Sequence, residues 1–366
     1  MLTASVALRG SAEPSMAPPD TPPAPPSSAL YDLRWITRAA CPADWWAHVE
    51  RCGGGFFHTP PGLEAGAPAG EAVFAQLLHG QDVVGIAAGV RSRCRLGRRP
   101  RHLYFPTAPA FRGLPRPDEA LGALAEALRI EGAAEVAVDS FDAGWQPDVT
   151  PGRSIETRDR VEYLVPLDRS PDELVRGCSK HHRRHLQNGI RQDWSFQTLD
   201  GPEARAVIAA VQHAAADRAA ERGDPFQATL PAAAGAATDG GAPWGVTTFS
   251  VWEKGAPLAA ALVGWAKPRA YYLVGGSTPT GYACHAAVWL HWRIMCHLAG
   301  AGFTTYNLGG TPATARQPDD PQHGLYRFKS GFGADIVSRR SVRWTLRPVH
   351  VATHRLVNWV ATRLHS

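Results

Sequence analysis

Lys329 lies in the segment GLYRFKSGFGAD, between aromatic and small residues. A cation held in a water-poor cleft can stabilise negative charge that develops on an oxygen atom during a reaction. The alternative is a solvated lysine on a helix surface, where most lysines are found. Phe328, beside it, could stack on a ligand, or it could pack in the core as apolar residues at helical spacing commonly do.

A second group of candidate residues is basic and lies in CSKHHRRHLQNGIRQD. Lys180, Arg183 and Arg184 could hold a phosphate group, since planar arginine suits two-point contacts with phosphate oxygens. The alternative is a solvated basic helix face. His181 and His185 are four residues apart, a spacing that can place two metal ligands on one helix face. No third ligand at suitable spacing accompanies them, so we predict no metal site.

The third candidate is the end of a predicted strand, FTTYNLGG. Tyr306, Asn307, Gly309 and Gly310 lie there, and the carboxyl ends of strands face ligand crevices in layered α/β folds. Two glycines in succession allow another group to approach the backbone closely. The alternative is a simple tight turn.

Alternating strand and helix patterns predict an α/β fold with mixed sheets. Residues 1–29 are rich in Pro and Ala, which predicts a disordered tail. Residues 30–150 read as a first domain, and residues 151–366 as a second domain that ends in an amphipathic helix. Residues 149–158 are predicted to connect the two.

The second domain must position the candidate residues. VEYLVPL is predicted as a strand, and one helix is predicted over SPDELVRGCSKHHRRHLQNGIRQD with Ser170 as its cap. GPEARAVIAAVQHAAADRAAERG is a further helix. Three strands with turns at KG and KPR follow, and then a helix over GYACHAAVWLHWRIMCHLAG. GLYRFKSGFG is predicted as a short helix and SRRSVRWTLRP as the final strand.

Bulk composition excludes several classes of protein. The net charge of +5 over 366 residues is too small to argue for nucleic-acid binding by itself. The six cysteines are scattered without CxxC spacing, which predicts free thiols in a reducing cytoplasm. No apolar run of membrane-spanning length and no secretory signal are recognised. We therefore predict a cytoplasmic monomer without a membrane span.

The order of these motifs resembles the second half of the FemXAB family and of the related BioF2-like acetyltransferase domains. A strand ends in GGS, a helix carries WLHW, a strand reads YNLGG, and an LYRFKSGFG helix follows a loop. CSKHHRRHLQNGIRQ is similar to the family's basic helix SKxxRxxIxxA, and FFHTPPG to its FFQSPxW turn. The strong part of the resemblance covers residues 159–348. Gly189 and the polar loop between Thr311 and His323 depart from the family pattern.

This resemblance implies two tandem acetyltransferase-like (GNAT) domains that share a central cleft, and an enzyme that transfers acyl groups. Lys329 would be the catalytic residue, stabilising the oxyanion of the tetrahedral intermediate. The similarity of CSKHHRRHLQNGIRQ to the family's basic helix implies that Arg183 holds a substrate phosphate group, with Lys180 beside it. The remaining expected substrate-binding residues are Phe328, Tyr306, Asn307 and Gly309.

The donor is predicted from a missing signal. GNAT enzymes that use coenzyme A carry R/QxxGxG/A between a strand and the next helix, where amides hold the pyrophosphate. The equivalent loop, STPTGYACHA, lacks the leading Arg or Gln. RIEGAA matches the pattern, but it lies at the C-terminal end of a predicted helix, and anions bind at helix N-termini. We therefore treat this match as chance.

The weak coenzyme A signature favours aminoacyl-tRNA as the donor of an amide bond to a small or peptidic amine, with no bound cofactor. The arginine-rich run RSRCRLGRRPR could meet tRNA phosphates, or it could be a solvated hairpin turn. One alternative is an acyl-CoA-dependent N-acyltransferase of the BioF2-like type. Another is a non-catalytic binding protein that keeps the fold.

Overall fold

The computed structural model describes residues 32–37, 44–66, 70–93, 101–113, 121–122, 124–125, 128–129, 132–145, 147, 149, 151–221, 228, 230–231, 233–234, 242–349 and 351. The predicted tail at residues 1–29 lies outside the described residues. The same holds for nearly all of the predicted C-terminal helix and for residues 94–100 of the arginine-rich run.

A single mixed β-sheet runs through the described part of the chain. Its thirteen strands are β1 (Asp32–Thr37), β2 (Glu71–His79), β3 (Asp82–Arg93), β4 (Arg101–Phe105), β5 (Ala110–Phe111), β6 (Ala133–Val138), β7 (Ile155–Pro166), β8 (Ser195–Leu199), β9 (Trp244–Glu253), β10 (Ala256–Ala266), β11 (Arg269–Ser277), β12 (Thr305–Pro312) and β13 (Asp335–Thr345). The strand order is β1-β2-β3-β4-β6-β13-β7-β12-β11-β10-β9-β8, and β5 pairs with β3. Pairs β4–β6 and β11–β12 are parallel.

The last strand joins the two halves of the sheet. β13 pairs antiparallel with β7 over ten residues and with β6 over four. The sheet therefore continues across the predicted boundary between residues 150 and 151. β7 begins at Ile155, so the second part of the predicted connection at 149–158 is strand. The predicted class, a mixed α/β fold, is confirmed.

Helices cover the sheet: α1 (Trp45–Arg51), α2 (Pro60–Gly66), α3 (Pro171–Gly177), α4 (Lys180–Ile190), α5 (Gly201–Glu221), α6 (Pro279–Ala283), α7 (Ala286–Gly300) and α8 (His323–Ser330). Short 3-10 helices span Phe56–His58 and Ala313–Arg316. One core cluster packs α4, α7 and α8 against β7 and β12, with Tyr163, Leu186, Ile294, Tyr306 and Phe332 fully buried. This packing brings the three candidate segments together.

The helix predicted from Ser170 onward is two helices, so the prediction of one was wrong. Ser170 caps α3 through a reciprocal capping box with Glu173, as expected. The chain then becomes extended at Cys178, and Ser179 caps α4 by accepting the His182 amide at 3.2 Å. The Ser179 amide donates to the Gly331 carbonyl at 2.8 Å, a distant partner that stabilises the break.

The predicted strand β7, helix α5 and the three strands β9, β10 and β11 are confirmed, as are the short helix α8 and the final strand β13. The single helix predicted over GYACHAAVWLHWRIMCHLAG was wrong, because the chain breaks at His285, which has φ +58°, and forms the two helices α6 and α7. The four cysteines described, Cys52, Cys178, Cys284 and Cys296, are free thiols, as predicted. None of the helices in the described ranges is both long and apolar enough to cross a bilayer.

Candidate active site

Lys329 occupies the last turn of α8 and is only 6% exposed, so it is not a solvated surface lysine. Its Nζ donates to the Gly310 carbonyl oxygen at 3.1 Å and lies 5.9 Å from the centre of the Tyr163 ring. Burial and the nearby Arg160 guanidinium lower the pKa of Lys329 to about 7, while Glu162 acts to raise it. The Lys329 amine therefore lies in a low-dielectric environment, and its charged and neutral forms are both populated near neutral pH.

A bend in β12 presents the Gly310 carbonyl to Lys329. Gly309 has φ +79°, and the register between β12 and β7 shifts between Asn307 and Gly310. The Asn307 Oδ1 accepts the Gly309 amide at 2.8 Å. The positive φ favours glycine, and a Cβ at Gly309 would lie 3.2 Å from the Lys329 Nζ and press on the amine.

The sequence pattern predicted that β12 ends at its two glycines, but the strand continues to Pro312. The bend is a β-bulge inside the strand. The Gly309 amide makes no ladder hydrogen bond there and donates to the Asn307 side chain instead. Asn307, Gly309 and Lys329, three of the predicted site residues, are thus in direct contact or adjacent.

The two central parallel strands separate beside this bulge. β11 pairs with β12 from Arg269 opposite Thr305 to Tyr271 opposite Asn307. Beyond that point β12 pairs with β7, and no further pairing with β11 is found within the described residues although both strands continue. A gap between the carboxyl ends of parallel strands is where ligands enter layered α/β folds.

Three ion pairs surround the bulge, and each arginine in them has its own carboxylate. They are Arg160 with Asp139 at 3.3 Å, Arg269 with Asp142 at 2.9 Å, and Arg339 with Glu162 at 3.3 Å. Lys329 has no carboxylate within ion-pair distance among the described residues, and its polar partner is a carbonyl. Its charge is therefore not neutralised by a dedicated partner, and it can serve a ligand.

Sequence reasoning missed Arg160, Glu162, Asp142 and Arg269. Glu162 interrupts the apolar strand VEYLV and is fully buried, so a carboxylate within a buried-strand pattern was a usable signal. Asp142 accepts from the Tyr271 hydroxyl at 2.6 Å, and burial raises its pKa. Asp142 and Arg269 meet only through the fold, and no local pattern connects them.

Two other predicted residues lie beneath the site. Tyr306 is fully buried, and its hydroxyl lies 3.1 Å from the His291 Nδ1. Burial, with the nearby charge on Lys329, lowers the pKa of His291 to about 3, so the imidazole is neutral. Phe328 is half-buried and packs edge-on against Phe332 at 5.2 Å, which corresponds to the core alternative.

The basic residues of α4 lie on its outer side. Lys180 and Arg183 are exposed, and the Arg183 Nη1 donates to the Arg176 carbonyl of α3 at 3.0 Å. The α4 side chain that meets α8 is instead His182, whose Nε2 lies 3.0 Å from the Phe328 carbonyl oxygen.

Three histidines cluster beside the same helix. The Nε2 atoms of His181 and His185 are 3.1 Å apart, and the centre of the His285 ring lies 3.6 Å from that of His185, with the two rings tilted by 38°. Within the described ranges, no group of three His, Cys, Asp or Glu side chains is arranged to hold a metal ion.

The loop equivalent to the coenzyme A pyrophosphate site is occupied by the helical turn α6. The Thr278 Oγ1 accepts the Gly281 amide at 3.2 Å, and the Thr278 carbonyl accepts the Tyr282 amide at 2.8 Å. The Cys284 and His285 amides donate to carbonyls of the same turn at 3.1 Å. These amides are therefore already used and do not point at a ligand.

Asp142 also lines a cavity of about 230 Å³. Residues 52–55, 107–111 and 142–145 supply most of its lining, with Phe57 and His58. Burial lowers the pKa of His58 to about 4, so this imidazole is neutral near pH 7.

Comparisons with known proteins agree with this architecture. Residues 176–330 match the family described as "Acetyltransferase (GNAT) domain". The crystal structure of FemX has a TM-score of 0.63 at 16% identity, over 84% of this chain and 98% of that one. L-PGS from Bacillus licheniformis has a TM-score of 0.50 at 12% identity, over 88% and 97%. No curated protein sequence matches the chain.

The similarity to FemX extends over most of both chains and shows a shared fold. The fold is GNAT-like, and the domain match supports the assignment of this protein as an acyltransferase.

Proposed function

We propose that this protein is a FemXAB-like aminoacyltransferase, with Lys329 as its catalytic residue. The observation that carries the proposal is the buried Lys329 ammonium beside the gap between β11 and β12, with no carboxylate partner among the residues that the structure describes. The acceptor amine bonds to the donor carbonyl carbon and loses a proton, and the carbonyl oxygen becomes an oxyanion that the ammonium stabilises. The bond to the leaving oxygen then breaks, and that oxygen takes up a proton.

We propose aminoacyl-tRNA as the donor. The turn at residues 277–286 supports it, because the amides of Gly281, Tyr282, Cys284 and His285 are bonded within the turn and are not available to a coenzyme A pyrophosphate. The exposed Lys180 and Arg183 on α4 offer charge to RNA phosphates. The acceptor is a small or peptidic amine, and the two predicted domains, 30–150 and 151–366, would form the cleft that receives it.

Acyl-CoA is the second candidate donor, and the match of residues 176–330 to an acetyltransferase domain favours it. On this alternative the protein is a BioF2-like N-acyltransferase. In either case we propose a cytoplasmic monomer, in line with the four free thiols described.

The test uses the full chain with radiolabelled aminoacyl-tRNA and a panel of amines, and separately with a panel of acyl-CoA thioesters. We expect labelled amide from aminoacyl-tRNA, lost after RNase treatment, and no calorimetric binding of thioesters. Product that forms from thioesters and resists RNase would assign the second donor. Lys329→Ala with full biological activity and an unchanged Tm would instead support a non-catalytic binding protein.

A further inference from the structure

We infer that Glu162 and Asn307 are positioning residues for Lys329, because together they hold the bulge that presents the Gly310 carbonyl to its ammonium group. The inference rests on the proposed function of Lys329. It assigns a role to Glu162, a buried residue that has no part in the chemistry described above.

The bulge depends on the Asn307 side chain at both of its ends. The Oδ1 accepts the Gly309 amide at 2.8 Å, and the Nδ2 donates to the Glu162 Oε2 at 3.0 Å. The orientation of the amide follows from its partners, since a backbone N–H can only donate and a carboxylate can only accept. Reversing the amide would break both bonds, so Glu162 and the Gly309 amide together fix which atom of Asn307 faces the bulge.

Glu162 is itself fixed from several directions. It has no exposed surface, its Oε1 accepts the Asp142 amide at 3.1 Å, and Arg339 from β13 lies 3.3 Å from Oε2. A buried ion pair is weak evidence for stability, because an apolar residue of similar volume often serves as well. A fully buried carboxylate at this place therefore suggests a role beyond stability.

Glu162 also acts on Lys329 through its charge. Arg160 and Glu162 face the ammonium from β7, together with the Tyr163 ring, and His291 faces it from α7. Of these groups, Arg160 opposes protonation of Lys329 and Glu162 favours it, while His291 is neutral near pH 7. Removing the Glu162 charge lowers the Lys329 pKa, so fewer molecules carry the ammonium at neutral pH.

The experiment measures the pH dependence of kcat and KM for the wild type, Glu162→Gln and Asn307→Ala. For Glu162→Gln we expect the alkaline limb of kcat to move down by about one pH unit, with KM unchanged. At pH 7 this corresponds to a loss of roughly fivefold in kcat. For Asn307→Ala we expect a similar loss without movement of the limb, because Glu162 keeps its charge.

Asp159→Asn is the matched control. Asp159 pairs with Arg340 at 2.9 Å across the same two strands, but its side chain is 62% exposed. It should leave kcat, KM and the pH limb unchanged. A Glu162→Gln protein that folds and keeps the wild-type kcat and limb would overturn the inference.

A readout that does not depend on turnover separates this inference from the proposed function. The Lys329 amine is followed by NMR titration of the ¹³C-methylated protein and assigned with Lys329→Arg. A lower Lys329 pKa in Glu162→Gln supports the positioning role even where no donor in the panel is used. An unchanged Lys329 pKa contradicts it, whatever the activity. Where Glu162→Gln does not fold, unchanged kcat in Asn307→Ala also contradicts it.

Discussion

Helices α8 and α4 meet at Gly331 and both carry basic side chains, but they place their charges in opposite environments. On α8, Lys329 is buried and bonded to a backbone carbonyl at a strand bulge. On α4, Lys180 and Arg183 face solvent, and the side chain that turns inward is the uncharged His182.

This contrast separates two uses of positive charge. A cation in a buried site interacts strongly with charge that appears close to it, because little water screens the interaction. Exposed cations act weakly on a single group, and salt screens them, but several together can contact an extended polyanion. The buried lysine is therefore suited to chemistry, and the outer face of α4 to binding.

The largest effect should come from the buried lysine. Lys329→Ala removes the stabilisation of the oxyanion, and kcat should fall by about 10²- to 10³-fold with a small change in KM. Arg327→Ala, an exposed arginine on the same helix, is the matched control and should change kcat less than twofold. Equal losses in the two variants would show that burial of Lys329 has no catalytic consequence.

The contact between the two helices should be sensitive to acid. Burial lowers the pKa of His182 to about 4, so the folded protein holds this imidazole neutral while the unfolded chain protonates it below its ordinary pKa. The contribution of His182 is complete above pH 6.5 or so and is lost as the pH falls toward 4, by about 2 kcal/mol.

Denaturant unfolding at a series of pH values checks this expectation. His182→Gln should flatten the acid slope of the unfolding free energy, whereas the exposed neighbour His181→Gln should keep it. An unaltered acid slope in His182→Gln would mean that the inner face of α4 is as open to water as its outer face.

How far the site could be predicted depends on how local its contacts are. Lys329, Asn307 and Gly309 belong to two short motifs, and the structure brings those motifs together. The break between α3 and α4 was missed because the Ser179 amide bonds to Gly331, far away in the chain. The Glu162–Arg339 pair likewise joins two strands that are distant in sequence, so no spacing indicates it.

The continuation of β12 past its glycines was missed for a different reason. Two glycines in succession ordinarily indicate a turn, but here the Asn307 side chain bonds the Gly309 amide, and the strand resumes pairing with β7 at Gly310. Asparagine two residues before a glycine is a local signal for such a bend, and it was available in the sequence.

The outer face of α4 should affect binding by a moderate amount. The triple variant Lys180→Gln, Arg183→Gln and Arg184→Gln should raise the KM for aminoacyl-tRNA about tenfold and leave kcat unchanged. The slope of log affinity against log salt should become shallower by up to about 3, as measured by filter binding. Arg205→Gln on α5 is the exposed control. An unchanged salt slope in the triple variant would assign RNA contact to another surface.

The smallest effect concerns the cap that separates the two helices. Ser179→Ala removes the Oγ that accepts the His182 amide but keeps the backbone N–H that bonds to Gly331, so unfolding free energy should fall by about 1 kcal/mol. Ser179→Asp restores an acceptor and should recover the loss, which thermal unfolding can measure. Since the cap also orients His182 toward α8, Ser179→Ala should weaken the acid sensitivity in the same direction as His182→Gln. A loss of stability with the full acid slope retained would show that Gly331 alone holds the start of α4 against α8.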